Sequence, residues 1–270
     1  ESKSAEYKIV FNTNNVEYLP TGQDTAQIIK KRKTQPLSDW LKENSPIIRF
    51  ANDSYLHYNV LFENPADPPP PFDKNKIDVW DWNGTDLSKE SQTVNKETDS
   101  IQYRVLQEAM KADHDPVYDI VFDDDDSYEA ADVIGIKMTD EKLIVDFSHC
   151  KFSQSATPGA RIEDLYAVCG QAQKSVHWRD NMQACISHLI LREVSRQKRN
   201  MPSRFERGTL EKLEEIRNKV PFLIPEFTIA IVQPGLSKAQ ASNDQLALLA
   251  VTENYLKETH AIKLKVVASQ

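Results

Sequence analysis

The sequence predicts a mixed α/β fold, of the α+β kind, in which a central sheet is flanked by helices and preceded by a small, mostly β N-terminal subdomain. Three observations predict it. From residue 99 the patterns run helix, three strands, helices, strand, helix, strand, an order that asks for a sheet covered on both sides. Before residue 75 only short strand-like runs separated by polar turns occur. At 270 residues and 40% apolar content the chain is long enough to bury a core of this size.

In chain order, residues 7–11, 47–50 and 56–62 read as strands, with the turns Asn12-Thr13-Asn14-Asn15 and Asn52-Asp53-Ser54 between them. Residues 25–33 read as a short helix. The run Pro68-Pro69-Pro70-Pro71 is extended and cannot join a ladder, so it marks the edge of the N-terminal subdomain, residues 1–75. Residues 76–98 read as a linker or clasp. Within them Trp80 and Trp82 alternate, which suits burial against the main domain, with a base-stacking platform as the other use. The main domain, residues 99–270, opens with a helix capped by Asp99 or Ser100, its apolar face formed by Ile101, Val105, Leu106 and Ala109.

Strands rich in Val and Ile follow at 117–122, 132–138 and 143–150, then helices at 161–177 and 180–198. A loop bracketed by Pro202 and Gly208 leads to a charged helix over 210–220. Residues 227–232 form an apolar strand ended by Gln233-Pro234-Gly235, and the chain finishes with a helix at 243–257 and a strand at 263–268.

The formal charge of −8 speaks against a uniformly basic nucleic-acid-coating protein, but its distribution is uneven. Residues 113–149 carry twelve acids against Lys137 and Lys142, whereas 161–219 carry twelve Lys and Arg against eight acids. An acidic pocket beside a basic helical region suits a metal-dependent enzyme acting on a phosphate polymer. The three cysteines form no C-x-x-C pair, so neither a disulfide framework nor a zinc knuckle is indicated, and a cytoplasmic setting is expected. No membrane span or secretion signal is expected either. No G-x-x-x-x-G-K-[ST] loop and no G-x-S-x-G elbow occurs, which removes P-loop NTPase and serine hydrolase chemistry from these residues.

The chemistry concentrates in 131–153. Asp132 opens one apolar strand, and the next ends in Ser148-His149-Cys150-Lys151. Side chains alternate along a strand, so His149 and Lys151 point one way and Ser148 and Cys150 the other. An acid, an imidazole and an ammonium on neighbouring strands form an array for holding a divalent ion, Mg²⁺ or Mn²⁺, and for stabilising charge on a phosphoryl group. Glu108 on the preceding helix is a further candidate metal ligand, and Gln171 and Lys174, three apart on the following helix, are auxiliary candidates. The run Asp123-Asp124-Asp125-Asp126 lacks EF-hand spacing and reads as a solvated loop near the metal site, with Asp123 or Glu129 able to reach the ion. Arg192, Arg196, Lys198, Arg199, Arg204 and Arg207 cluster around a helix end and read as phosphate contacts, or as partners of the helix dipole.

Asp132 followed by His149-Cys150-Lys151 resembles the PD-(D/E)XK, or restriction-endonuclease-like, nuclease superfamily, whose signature is a strand-borne Asp and then (D/E)-X-K. The resemblance covers roughly 99–175. Within it, Asp99-Ser100-Ile101-Gln102-Tyr103-Arg104, Glu129-Ala130-Ala131-Asp132 and Cys169-Gly170-Gln171-Ala172-Gln173-Lys174-Ser175 resemble nuclease-like C-terminal regions of helicase-containing bacterial defence proteins. It implies a restriction-endonuclease-like fold and a metal-dependent DNA endonuclease. Asp132, His149 and Glu108 would hold the ion and Lys151 would stabilise charge. A helicase module would lie in the same full-length protein or complex, in an antiviral defence setting, and double-strand cutting would call for a homodimer. His149 stands where the superfamily has Asp or Glu. Three readings follow: a site preferring Mn²⁺, a site compensated by Glu108 or another acid, or an inactive nuclease fold kept to bind nucleic acid or a partner protein.

Overall fold

The computed structural model describes residues 4–13, 15–30, 33–50, 54–63 and 70–270. The chain divides into two compact units, Glu1–Pro68 and Pro69–Gln270. Of the sequence readings, Asn14, Asn52-Asp53, Pro68-Pro69 and the pair Lys31-Arg32 lie outside the described residues.

The first unit is built from small antiparallel pieces. Strands β1 (Tyr7–Phe11) and β2 (Val16–Pro20) form a hairpin, as do β3 (Gln27–Lys30) and β4 (Lys33–Pro36). A short helix, α1 (Leu37–Glu43), precedes the three-stranded meander of β5 (Ile48–Arg49), β6 (Tyr55–His57) and β7 (Val60–Phe62). The helix expected over 25–33 is thus a strand pair. Two consecutive β-branched residues, Ile28 and Ile29, disfavour a helix, and the register of β3 with β4 runs from Gln27 opposite Pro36 to Lys30 opposite Lys33.

The second unit contains β8 (Ile77–Val79), α2 (Ile101–Ala109), β9 (Ile120–Asp123), β10 (Val133–Met138), β11 (Lys142–Cys150), α3 (Glu163–Lys174), α4 (His177–Asp180), α5 (Met182–Lys198), β12 (Phe205–Arg207), α6 (Leu210–Lys219), β13 (Ile224–Ser237), α7 (Asn243–Asn254) and β14 (Lys263–Ser269). Its seven strands form one mixed sheet in the order β12-β9-β10-β11-β13-β14-β8. The meander β9-β10-β11 and the edge strand β12 are antiparallel, whereas β11, β13, β14 and β8 run parallel to one another.

Strand alternation sorts the core into two layers. Phe122, Ile134, Ile136, Val145, Phe147, Ile229 and Ile231 face one side, where Leu165 and Val168 of α3, Ile186 and Leu189 of α5 and Leu213 of α6 cover them. Val121, Val133, Cys150, Val232 and Val267 face the other side and meet Ile101, Val105 and Leu106 of α2. Ser100 caps α2 by accepting a hydrogen bond from the Tyr103 amide at 3.2 Å. Gly135 is where the α2-side layer comes closest: a Cβ there would lie 2.6 Å from the Tyr118 ring.

Three elements differ from expectation. Residues 76–98 are built into the second unit: Ile77–Val79 add a parallel edge strand, and Trp82 is buried, its indole N–H donating to the Ala268 carbonyl at 3.2 Å. The loop between Pro202 and Gly208 contains β12. Strand β13 runs on through Gln233-Pro234-Gly235 to Ser237, with a break in register against β14 that absorbs the proline.

Candidate metal centre

Strands β9, β10 and β11 bring their chemistry to one end of the sheet. The register pairs Val133 with Ser148, so one residue further on Asp132 comes opposite His149, and both side chains fall on the α3 side of the sheet. Both are buried, at 3% and 2% exposure, and Asp132 Oδ2 lies 3.8 Å from His149 Nδ1. Asp132 is clamped from two directions. Its Oδ2 accepts the Cys150 amide at 2.9 Å, and its carbonyl accepts the Gln102 side-chain amide at 3.1 Å.

The other ring nitrogen of His149 faces the residue just past the end of α3. His149 Nε2 lies 2.9 Å from Ser175 Oγ, which is also 3.0 Å from the carbonyls of Ala130 and Gln171. A hydroxyl has one proton: where it goes to a carbonyl, Nε2–H donates to the serine and Nδ1 is bare; where it goes to Nε2, Nδ1 carries the proton. Nδ1 is buried without a hydrogen-bond partner and lies 3.8 Å from the Asp132 carboxyl group. Burial, reinforced by Lys174, holds the imidazole neutral, with its pKa pulled down to about 3.

Around this pair sit more acids. Ligand atoms of Asp125, Glu129 and Asp132 all lie within 4.8 Å of one another. Burial pushes the Asp132 carboxyl well above its ordinary pKa, with the charges of Glu129, Asp125 and Glu90 adding to the effect. Asp125 and Glu129 are raised too, chiefly by burial. Lys151, just past the end of β11, puts its ammonium 2.8 Å from Glu90 Oε2 and over the Phe152 ring at 4.6 Å. The same Glu90 oxygen accepts the Phe152 amide at 3.0 Å, which fixes the carboxylate at the exit of β11.

The aspartate run is not the solvated loop its composition suggests. Asp123 and Asp124 are buried, and Asp123 is spent on the side-chain amides of Gln92 and Gln102, each at 2.9 Å, rather than facing an ion. Arg192 pairs with the Asp124 carboxylate and donates to the carbonyls of Asp124 at 2.6 Å and Ser127 at 2.8 Å. Arg204 donates to the carbonyls of Asp123 and Asp125 at 3.0 and 3.1 Å and to the Asp126 carboxylate at 3.2 Å. Burial of Asp124 outweighs its arginine partners and lifts its pKa to about 7.

The structure thus separates the sequence candidates. Asp132 and His149 are adjacent, and Gln171 and Lys174 line the same cleft of about 330 Å³ as His149, Glu129 and Ser175. Lys151 stands beside the acids through Glu90. Glu108 does not join them: it pairs with Arg104 and Lys111, each at 2.6 Å, and opens onto the α2 face of the sheet with Asp146 and Ser148. The expected phosphate contacts also divide. Arg192 and Arg204 hold the aspartate loop, buried Arg196 reaches the Pro202 carbonyl at 3.4 Å, and Arg207 reaches the Met110 carbonyl at 2.6 Å. Their guanidiniums are committed to backbone inside the fold, while Lys198 and Arg199 remain exposed. The sequence reading missed Asp125, hidden in a uniform acidic run, and Glu90, which lies in a stretch without periodicity. An acid next to Lys89 gave no local signal; only the contact with the exit of β11 reveals it. Compared with known proteins, the chain matches no family model, no curated protein and no solved structure.

Proposed function

We propose that the second unit is a metal-dependent endonuclease that hydrolyses phosphodiester bonds in DNA, on a restriction-endonuclease-like version of the mixed α/β fold. The observation that carries this reading is the buried, unpartnered Nδ1 of His149 3.8 Å from the Asp132 carboxyl group, beside Asp125 and Glu129. A buried ring nitrogen without a partner beside a cluster of carboxyl groups suits a divalent cation, whose charge would hold those groups ionised. Supporting it, α2, the meander β9-β10-β11, α3 and β13 parallel to β11 follow one another in the order that the PD-(D/E)XK resemblance implies.

The donor set fits such an ion. Asp132, Asp125, Glu129 and His149 would hold it, and an imidazole among the ligands favours Mn²⁺ over Mg²⁺. The ion would supply polarisation of a phosphoryl oxygen and a more acidic attacking water. The remaining work falls to the chain's own groups. The Cys150 amide and Gln102 hold Asp132 in place. Glu90 holds the Lys151 ammonium at the mouth of β11, from where it would turn to an incoming phosphate and stabilise the charge that develops there. DNA as substrate, a linked helicase module, a homodimer, a cytoplasmic setting and a role in defence belong to the same reading.

The test is purified protein incubated with supercoiled plasmid and Mn²⁺ or Mg²⁺. Cleavage is expected with Mn²⁺ and is expected to fall by at least about a hundredfold in Asp132→Ala and Lys151→Ala; absence of cleavage with every divalent ion overturns it. One observation favours a second reading, a silent nucleic-acid-binding module: Lys151 already has a carboxylate partner in Glu90. Binding of DNA without cleavage under all metal conditions would select it.

A further inference from the structure

His149, almost wholly buried, lies at the floor of a cleft that Glu129 and Lys174 also line, and the buried Asp132 carboxylate stands 3.8 Å from its ring. A duplex carries its phosphates on a stiff convex surface with the bases turned inward. Bringing one of those phosphates to a buried side chain brings its neighbours against the cleft walls. An extended single strand avoids this, because its backbone bends and its bases are free to turn aside and stack.

The walls offer what such a strand needs. Tyr128 lines the cleft next to Glu129, and its side chain is 91% exposed, packed against nothing that would explain an aromatic residue there. Its backbone is left-handed, with φ 66°, a conformation that favours Gly or Asn over a bulky residue. That conformation is imposed from both sides: Arg192 binds the Ser127 carbonyl at 2.8 Å, and the Ala130 amide donates to Asp124 at 2.8 Å. The loop is therefore rigid where the ring projects. Trp178 stands on the same cleft, buttressed by His177 and His188 at ring-centroid distances of 4.4 and 5.2 Å, and Lys174 adds an ammonium to the rim.

We infer that this cleft takes single-stranded DNA, with a base stacked on Tyr128 and the adjoining phosphate lowered past Lys174 toward Asp132 and His149. The inference deepens the nuclease reading and rests on it for the identity of the buried site. Tyr128 is a positioning residue: it holds a base and touches no reacting atom.

The test is a binding measurement that needs no turnover. Fluorescein-labelled oligonucleotide, single-stranded or annealed as a blunt duplex, is titrated with the protein in Ca²⁺, which answers the carboxylates through oxygen ligation. The single strand is expected to bind at least about tenfold more tightly than the duplex. Tyr128→Ala is expected to weaken single-strand binding by about tenfold, and Tyr128→Phe, which keeps the stacking face, is expected to leave it within about twofold of the parent. Equal affinity for the two forms, no measurable binding to either, or an unchanged affinity in Tyr128→Ala overturns the inference. Plasmid cleavage without any preference for opened strands would overturn it and leave the nuclease reading standing. Selective single-strand binding with no cleavage under any ion would do the reverse.

Discussion

His149 concentrates the chemistry of the site in one side chain. With Nε2 occupied by Ser175 and Nδ1 without a partner, the imidazole would meet an ion through the Nδ1 lone pair, and that decides which ions it accepts. His149→Asp restores an all-oxygen donor set, so the expected outcome is a shift of plasmid cleavage from Mn²⁺ toward Mg²⁺, by about tenfold or more in the ratio of rates. Acid sensitivity follows from the same ring. Its pKa is about 3 in the folded chain against 6.5 when exposed, so the unfolded chain binds the extra proton between those values. This ring's contribution to stability is complete above pH 6.5 and falls by about 1.4 kcal/mol for each pH unit below it, down to about pH 3. Urea denaturation of the metal-free protein at pH 4.5 and 7.5 checks this, and His149→Gln should flatten the difference.

At the level of elements, the aspartate loop between β9 and β10 keeps its shape through Arg192 of α5 and Arg204, the residue just before β12. Arg204 is 1% exposed and serves three groups of that loop. Arg204→Ala removes these bonds and leaves buried carbonyls unanswered; a loss of about 3–5 kcal/mol is expected in denaturant unfolding, together with weaker Mn²⁺ binding by calorimetry. The same arrangement explains what could be read in advance. Helix α2, the meander and α3 were legible because each has an unbroken apolar period and a clear start, as at Ser100. Asp132 and His149 were legible because the alternation of two paired strands puts them together. The arginines were misassigned as phosphate contacts because a guanidinium satisfying backbone carbonyls has the same local sequence as one facing solvent. Glu108 was misassigned because a helix pattern gives the face but not which end of the sheet the residue covers. Strands β8 and β12, three residues each, are too short to carry a period, and their pairing partners are distant in the chain.

For the whole molecule, every residue assigned to the metal centre lies in Pro69–Gln270, which has its own sheet and both core layers. Residues 70–270 expressed alone are expected to unfold in a single cooperative transition and to keep Mn²⁺ binding within about threefold of the full chain; a molten fragment by near-ultraviolet circular dichroism would refute this. The sheet also ties early residues to late ones, since Ile77 pairs with Val266. On the ribosome β8 emerges long before the strand it must lie against, so it waits unpaired while the helical layers assemble. Nascent chains stalled ahead of β14 would therefore display two raw sheet margins, at β8 and at β13, and these are the lengths at which a holdase should grip them most tightly.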